Sequence, residues 1–390
     1  TSDKPHYENV PFEVPSSWVW CKLHDIIQIT NGRSQKYVEN VNGKYPIYGS
    51  GGIIGKAVDY LCEAGSTIIG RKGTINNPLF VEERFWNIDT AFGMKPMYAI
   101  SDLYFFYFCQ YFDFSKLDKS TAVPSLTQSA IGEVFIPIPP INEQKRITDG
   151  ISYWLGFIDT LESNLINLQL AIKQTKSKIL NLAIHGKLVP QDPTDEPAAE
   201  LLKRINPKAE ITCDNGHYQK LPEGWILTRG KNIFNQMKSC QPFGEDFKYI
   251  DIDAIDNKQQ KINKIKTIKV ANAPSRASRY TQKGDVVFSM VRPYLRNIAI
   301  VSENDCIAST GFYVCSPKEL LLTGFCYYLM ISDYVVNGLN QYMKGDNSPS
   351  INKKNVDDWF FPIPPLKEQH RIVAKIEAIF AQLDTIEASL

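Results

Sequence analysis

The sequence contains no long apolar segment and no recognisable export signal. Its longest aromatic-rich run, from Leu103 to Phe112, is only ten residues long and is interrupted by Gln110. A membrane-spanning helix needs about 20 apolar residues, so this run is predicted to lie in a protein core. No basic and then apolar leader follows Thr1. We therefore expect neither a secretory signal nor a membrane partner.

Cysteine pairs with metal-binding or redox spacing are also missing. None of the eight cysteines forms a C-x-x-C pair, and only five histidines are present to complete a metal site. We therefore predict no metal site and free, buried thiols in a reducing cytoplasm. The eight are Cys21, Cys62, Cys109, Cys213, Cys240, Cys306, Cys315 and Cys326.

Charge of one sign is not in excess. The 43 lysines and arginines nearly balance the 42 acidic residues, which leaves a net charge of +1. Apolar residues at 43% and charged residues at 22% are ordinary for a globular protein, which excludes disorder of the whole chain. A neutral total does not exclude a nucleic-acid partner, because DNA binding needs only a local basic face.

An internal repeat is the main feature that the sequence does contain. Residues 123–165 align without a gap to residues 348–390, and 16 of these 43 positions are identical. Both copies contain the block P-I-P-P-x-x-E-Q-x-R-I, which begins at Pro137 and at Pro362. A weaker repeat ends at Trp18 and at Trp225. The chain is therefore predicted to be a tandem duplication with similar ends and divergent middles.

A long helix with an apolar seam is predicted after each block. Prolines can precede a helix, and the glutamate of each block falls in the first turn, where the helix dipole favours negative charge. Apolar residues then recur at alternating steps of 4 and 3, which favours pairing in a coiled coil over packing of each helix on its own domain. The seam residues are Ile147, Ile151, Trp154, Ile158, Leu161, Leu165, Leu168, Ile172, Ile372, Ile376, Ile379, Leu383 and Ile386.

The repeat and the composition divide an α+β chain into five segments. These are a mixed α/β unit at 1–140, a long helix at 141–186, a proline-containing linker at 187–217, a second mixed unit at 218–365 and a C-terminal helix at 366–390. Gly186 is the predicted stop of the long helix, which would span about 65 Å. The last helix reaches Leu390 without a stop signal and is expected to be truncated. Strands are predicted at 67–69, 79–81, 286–289 and 298–301, and helices at 103–112, 198–205 and 325–330.

Catalytic motifs are not convincing. Gly49 to Gly55 has the spacing G-x-G-x-x-x-G and no convincing helix after it, which argues against a dinucleotide site. Gly65 to Lys72 lacks the Lys-Ser/Thr of a phosphate loop. Asn77 to Phe80 lacks the second proline of an amino-methyltransferase motif. We therefore predict a non-catalytic chain without a cofactor of its own.

Basic residues with aromatic neighbours are candidates for DNA contacts. Arginine and lysine bind phosphates, and arginine can also bind a guanine edge through two hydrogen bonds. A basic turn follows a predicted strand of the first unit, and arginine–tyrosine clusters occur in the second beside a lysine-rich stretch at 258–269. For each residue the alternative is a solvated charged surface. The candidates are Arg71, Lys72, Thr74, Arg276, Arg279, Tyr280, Arg292, Tyr294 and Arg296.

The doubled block, which each time opens a long helix, resembles the specificity subunit of type I restriction–modification systems over the whole chain. The phrases K-Y-P-I-Y-G-S-G-G from Lys44 and A-I-H-G-K-L-V-P from Ala183 fit the same family. The resemblance implies two target-recognition domains, each of which reads one half of a split double-stranded DNA sequence. It also implies that the two helices form an antiparallel coiled coil that acts as a ruler between these domains.

The resemblance further implies the partners. The helices would dock two methyltransferase subunits, to which motor–nuclease subunits can add. S-adenosylmethionine, ATP and Mg would then be bound by these partners in the cytoplasm, and this chain would need none of them.

Two other functions stay open at this point. The chain could be the recognition module of a single-chain restriction–methylation enzyme, which methyltransferase motifs upstream in the full gene would favour. It could also be a coiled-coil scaffold without DNA function. Absence of DNA binding at every salt concentration, with the protein partners present, would favour the scaffold.

Overall fold

The computed structural model describes residues 10–98, 100–120, 123–212 and 221–390. The chain forms two compact units, Thr1–Ser163 and Asn164–Leu390, and the boundary between them falls within one long helix. The last five residues of the predicted linker, 213–217, lie outside the described residues, and Cys213 is one of them.

The first unit consists of short strands and helices followed by the start of the long helix. The strands are β1 (Val19–Lys22), β2 (Ile27–Asn31), β3 (Tyr45–Gly49), β4 (Gly52–Ala57), β5 (Ser66–Gly70), β6 (Leu79–Val81), β7 (Trp86–Asn87), β8 (Ala91–Pro96) and β9 (Phe135–Ile138). The helices are α1 (Leu23–Ile26), α2 (Asp102–Tyr111), α3 (Gln128–Gly132) and α4 (Ile141–Ile184). The sheets have the strand orders β2-β8-β5-β6, β4-β3-β7 and β1-β9.

Strand β5 is the centre of the first unit because it is buried along its whole length. It pairs antiparallel with β6 and β8. Ile69 belongs to a core with Phe92 and Phe105, whereas Ile68 belongs to a separate core with Phe85. Successive strand residues point to opposite faces, so this sheet is packed on both sides. The strands predicted at 67–69 and 79–81 and the aromatic helix predicted at 103–112 are confirmed.

The second unit has more strands than the first. The strands are β10 (Ile211–Thr212), β11 (Ile226–Arg229), β12 (Asp246–Ile250), β13 (Ile255–Asp256), β14 (Lys261–Ile262), β15 (Lys266–Lys269), β16 (Ala277–Thr281), β17 (Val286–Ser289), β18 (Ile298–Ile300), β19 (Cys306–Ser309), β20 (Phe312–Cys315) and β21 (Phe360–Ile363). The helices are α5 (Ala198–Ile205), α6 (Gly230–Ile233), α7 (Thr323–Met330), α8 (Asp333–Asn340), α9 (Lys353–Asp358) and α10 (Leu366–Ala388). The sheets have the orders β15-β12-β19-β16, β18-β17-β20, β10-β11-β21 and β13-β14.

Strand β17 takes the same central place in the second unit that β5 takes in the first. It is buried throughout and pairs antiparallel with β18 and β20. Phe288 lies in the large core that also contains Phe325 of α7, and Val287 faces a separate core with Phe312. The strands predicted at 286–289 and 298–301 and the helix predicted at 325–330 are confirmed, with shifts of one or two residues at their ends.

The segment after α4 packs onto the second unit. Gly186 has a φ of +64° and ends α4, as predicted. The N–H of Lys187 then bonds the carbonyl of Leu182 at 2.8 Å, which closes the helix. Helix α5 has the predicted bounds, and its buried Ala198 and Leu202 join the large core. The stretch with linker composition is therefore part of the folded second unit as far as β10, which pairs with β11.

The predicted helix–helix seam is buried near the end of α4. Ile372 and Ile376 of α10 share the large core with Ile179 of α4, and Ile172 of α4 is also almost inaccessible to solvent. Lys176 pairs with Asp384 at 2.6 Å and with Glu387 at 3.0 Å. Because the residues just after α4 contact the start of α10 and Lys176 contacts its end, the two helices run in opposite directions here.

The middle of α4 is exposed. The seam residues Trp154, Ile158, Leu161, Leu165 and Leu168 keep between 37% and 61% of their surface accessible. Ile147 and Ile151 are half-buried in the first unit, as are Ile379 and Leu383 in the second, and Ile386 is exposed. Within the described residues, the last turns of α4 contact α10, and its N-terminal part contacts α2, where the Tyr107 hydroxyl lies 2.9 Å from the Ser152 hydroxyl. A coiled coil along the whole seam remains a prediction.

A buried glutamine of the second block holds a helix of the second unit. The Gln369 side-chain oxygen accepts the N–H of Leu322, which precedes α7, at 2.8 Å. Its amide donates to the carbonyls of Leu320 at 2.8 Å and Pro364 at 3.1 Å. The free N–H groups at a helix start need such acceptors, and here the repeated block supplies one.

The first block makes the same connection. Gln144 is fully buried and accepts the N–H of Ser101, the residue that precedes α2, at 2.8 Å. Its amide donates to the carbonyl of Pro139 at 2.9 Å. The glutamine therefore recurs because, in each copy, it fastens one helix of the mixed unit to the block.

The glutamate of the second block binds the segment after α4. Glu368 is almost fully buried and accepts hydrogen bonds from Trp225 Nε1 at 3.0 Å and Gln191 Nε2 at 3.1 Å. Burial raises the pKa of this carboxyl group. One turn later, Arg371 donates to buried Asp195 at 2.7 Å. These side chains explain how a proline-rich segment is held in a fixed position.

Candidate nucleic-acid interface

The basic turn of the first unit, residues 71–74, directly follows the central strand β5. Its backbone is fixed on one side by the segment before α3. Gly73 donates to the carbonyl of Pro124 at 3.0 Å, and Leu126 donates to the carbonyl of Arg71 at 2.8 Å. Gly73 has a φ of +79°, which glycine adopts without strain. Lys72 and Thr74 are exposed, and Arg71 is half-buried with its guanidinium 6.0 Å from the Phe92 ring centre.

A second loop, between β7 and β8, lies against this turn. The N–H of Arg71 bonds the carbonyl of Thr90 at 2.7 Å. On the other side of the loop, the N–H of Arg33 bonds the carbonyl of Asn87 at 2.9 Å. The exposed Arg33 is therefore brought to the same loop as Arg71 and Lys72. Residues 71–74, the loop 88–90 and Arg33 together form what we call the first basic face.

Buried Asn87 holds this loop in place. Its amide donates to the carbonyl of Ala91 at 3.0 Å and, at 3.4 Å, to that of Thr30. The Cys62 thiol donates to its oxygen at 3.2 Å. Burial raises the pKa of this thiol to about 12, so the proton needed for the bond is present at neutral pH. Asn87 thus links β2, β8 and the loop between β7 and β8.

Replacing Asn87 with leucine should release the loop without removing a charge. Two backbone carbonyls would lose a buried donor, and we expect a loss of about 2–3 kcal/mol in the free energy of unfolding of the first unit. Urea unfolding measures the loss, and hydrogen exchange at residues 88–91 locates it. The matched change of exposed Asn77 should cost less than about 0.5 kcal/mol. Equal losses in the two variants would contradict this role of Asn87.

The second unit repeats the turn after its own central strand. Arg292 donates its backbone N–H to the carbonyl of Pro349 at 2.8 Å, and Ile351 donates to the carbonyl of Met290 at 2.9 Å. These bonds match those of Gly73 and Leu126, because Pro349 and Ile351 are the repeat equivalents of Pro124 and Leu126. The same turn therefore follows β5 and β17.

Arg276 joins this second turn through a neighbouring loop. The N–H of Thr310 bonds the carbonyl of Arg276 at 2.8 Å, and the N–H of Met290 bonds the carbonyl of Gly311 at 2.8 Å. The loop between β19 and β20 is thus flanked by Arg276 and by the turn at Arg292, and both arginines are exposed. Residues 290–295, the loop 310–311 and Arg276 form the second basic face. It also contains Tyr294, which is 46% exposed.

Two of the other three candidates, Tyr280 and Arg296, are engaged elsewhere in the second unit. The Tyr280 hydroxyl donates to Asp305 at 2.6 Å, and Arg279 is half-buried on the same strand. Arg296 donates to the carbonyl of Ile331 at 2.7 Å and pairs with Asp333. Any DNA contact by Tyr280 or Arg296 would have to compete with these carboxylates, so their clearest role is structural.

The first basic face also contains the exposed carboxylate of Asp89, which lies in the loop 88–90. Within the described residues, no carboxylate lies in ion-pair distance of Arg33, Arg71, Lys72, Arg276 or Arg292. By contrast, Lys266 in the lysine-rich stretch pairs with Asp253 at 2.8 Å, and Lys248 pairs with Glu303 at 2.6 Å. A basic side chain that is not in an ion pair can bind a phosphate without first breaking a contact with a carboxylate.

The described residues offer no candidate site for a metal ion. They contain no cluster of three His, Cys, Asp or Glu side chains that could hold a metal ion. Gly49 to Gly55 forms the hairpin between β3 and β4 rather than the start of a helix. Seven described cysteines are free, and five of these are buried as predicted, whereas Cys21 and Cys240 are partly exposed. Among the described helices, none is both long and apolar enough to span a membrane.

The duplicated units, each ending in a block that opens a long helix, match a known family. Residues 15–170 and 226–390 match the family described as the type I restriction modification DNA specificity domain. The chain belongs to this family. The resemblance to type I specificity subunits is thereby confirmed, and with it a role in DNA target recognition within a type I restriction–modification system. Specificity subunits are the non-catalytic components of such systems.

Alignments with individual relatives cover almost the whole length of this specificity subunit. The specificity subunit of the type I restriction enzyme EcoDI from Escherichia coli is 20% identical, and the alignment covers 96% of this chain and 84% of that one. The MjaVIII specificity subunit of Methanocaldococcus jannaschii is 22% identical, with 94% and 87% covered. A chain solved within a type I restriction–modification system has the same fold at 16% identity, with a TM-score of 0.61 and 97% and 94% covered.

Proposed function

We propose that this specificity subunit reads a bipartite double-stranded DNA target, with one half-site for each unit. The main observation behind this proposal is the duplicated turn that follows β5 and β17. In both units, this turn presents basic side chains that are not in ion pairs with any carboxylate that the structure describes. Arg33, Arg71, Lys72 and Thr74 would contact DNA in the first unit, and Arg276, Arg292 and Tyr294 in the second. The residues around the two turns differ, which fits two different half-site sequences.

We further propose that α4 and α10 dock two methyltransferase subunits and set the gap between the half-sites. The exposed apolar stretch of α4 supports this proposal. Ten large apolar side chains between Tyr153 and Leu170 remain accessible, which is unusual for a helix without a partner. Motor–nuclease subunits would join the complex through these partners. S-adenosylmethionine, ATP and Mg would be used there, and base flipping and methyl transfer would occur in the methyltransferase.

A methylation map tests the reading function. The chain is expressed with its methyltransferase in a host that lacks DNA methylation, and the modified bases are located by sequencing. We expect one split motif methylated in both halves. Exchanging residues 14–136 for those of a relative should change one half only, and exchanging residues 221–361 should change the other. A soluble complex that methylates no motif and binds no DNA at any salt concentration would instead support a protein scaffold.

Removing residues 155–161 from α4 should shorten the gap between the half-sites. Seven residues are two helical turns, so the deletion keeps the phase of the seam and shortens the helix by about 10 Å, or about 3 base pairs. We expect the same methylation map to show both half-sites unchanged and a shorter gap. A four-residue deletion, 155–158, breaks the heptad phase and serves as the control that should abolish methylation. A changed half-site after the seven-residue deletion would contradict the ruler role.

A further inference from the structure

The two basic turns share backbone hydrogen bonds and a left-handed residue at the same position, but that residue differs. Gly73 has a φ of +79° in the first unit, and Arg292 has a φ of +47° in the second. Each donates its backbone N–H to the equivalent proline, Pro124 or Pro349. Both positions also lie eight residues after the equivalent glycines Gly65 and Gly284. Arg292 therefore stands where the other unit has glycine.

An arginine is unfavourable at such a position, whereas glycine is not. At a left-handed φ the Cβ of an L-residue approaches the following carbonyl oxygen, and glycine has no Cβ. Non-glycine residues held in this region cluster at functional sites. The second unit thus keeps an arginine although glycine would form the same turn with less strain.

The loop contains a second arginine with a left-handed backbone, Arg296. The side chain of Arg296 has a structural role, whereas that of Arg292 makes fewer contacts with the protein. Arg296 has a φ of +56° and anchors its guanidinium on Ile331 and Asp333. Arg292 is exposed, and its guanidinium donates to a single carbonyl, that of Asn347, at 2.8 Å. This bond fixes the direction of the guanidinium and leaves further N–H donors available for a ligand.

We infer that Arg292 is a specificity-determining residue that reads a guanine edge in the half-site of the second unit. This inference rests on the proposed DNA-reading function. A phosphate contact tolerates a mobile side chain, whereas two hydrogen bonds to guanine O6 and N7 require a planar donor pair in a fixed direction. The left-handed backbone and the bond to Asn347 supply that direction. The first unit makes no such contact through Gly73.

The test compares Arg292→Gly, Arg292→Lys and Gly73→Arg in the full complex with the methyltransferase. Methylation maps and salt-dependent DNA binding are measured for each variant. Arg292→Gly should leave the melting temperature unchanged or raise it slightly, since glycine accepts the backbone conformation. It should relax the motif at one base pair of one half-site, with discrimination there falling about 10-fold or more. Arg292→Lys should relax the same base pair, because an ammonium cannot form the paired bonds.

Gly73→Arg tests the inference from the other unit. A Cβ at Gly73 meets no atom within 4 Å, although the φ of +79° strains any residue other than glycine. We expect new or stricter discrimination in the opposite half-site. Lys203→Ala, which removes an exposed charge on α5, should leave both half-sites unchanged.

Two results would overturn the role of Arg292 alone. One is an unchanged motif in Arg292→Gly. The other is DNA binding that is weaker by the same factor for all sequences, with a salt dependence that is lower by about one phosphate contact. That result would show that Arg292 contacts the DNA phosphate backbone and not a base. Absence of any methylated motif with the unaltered chain would overturn the reading function itself, and the inference with it.

Discussion

Replacing Gln369 with leucine should destabilise the second unit by about 4 kcal/mol. Leucine has a similar volume but no polar atoms, so the N–H of Leu322 and the carbonyls of Leu320 and Pro364 would lose their partners inside a dry core. Each unsatisfied buried group costs about 1–3 kcal/mol. Guanidinium unfolding followed by the fluorescence of buried Trp225 measures the loss.

Exposed Gln382 provides the control on the same helix. Its change to leucine should alter the unfolding free energy by less than about 0.5 kcal/mol. Gln144→Leu should destabilise the first unit in the same way, because Gln144 makes the equivalent bonds to Ser101 and Pro139. A loss below about 1 kcal/mol for Gln369→Leu would show that the glutamine does not fasten α7.

Replacing Ile376 with aspartate should separate α10 from the second unit. Ile376 is completely buried in the large core. Introducing a carboxylate there removes apolar burial and leaves a charge without a partner, and we expect a loss of about 5 kcal/mol or more. Hydrogen exchange should then show loss of protection along α10, and DNA methylation by the complex should disappear.

Ile386→Asp is the matched change on the same predicted seam. Ile386 keeps 44% of its surface exposed, so the aspartate remains hydrated, and the isolated chain should lose less than about 1 kcal/mol. Similar losses for both variants would mean that α10 packs evenly along the seam rather than through its first turns.

Much of this fold could be predicted from the sequence because its signals are local. Residues that are close together in the sequence determine the end of α4 at Gly186, the helix α5 and the central strands β5 and β17. The extent of helix pairing could not be predicted in this way. A heptad pattern shows which face of α4 is apolar, but it does not show that Ile172 is buried and Trp154 is exposed.

The candidate site was only partly visible in the sequence. The basic turn at Arg71 was found because its residues are adjacent along the chain. Arg33 was missed because 38 positions separate it from Arg71, and only backbone bonds to the loop between β7 and β8 bring them together. Arg296 was included because it is close to Arg292 in sequence, but its guanidinium faces Asp333. The positions of residues along the sequence do not show which carboxylate a basic side chain contacts in the folded protein.

The joint made by Gln144 and Gln369 has a consequence for how far the mixed units can differ in sequence. On the side of the mixed unit, the two glutamines bond backbone atoms, namely the N–H groups of Ser101 and Leu322 and the carbonyl of Leu320. Backbone atoms are the same in every sequence. A mixed unit with a different sequence can therefore use these backbone atoms to form the same joint.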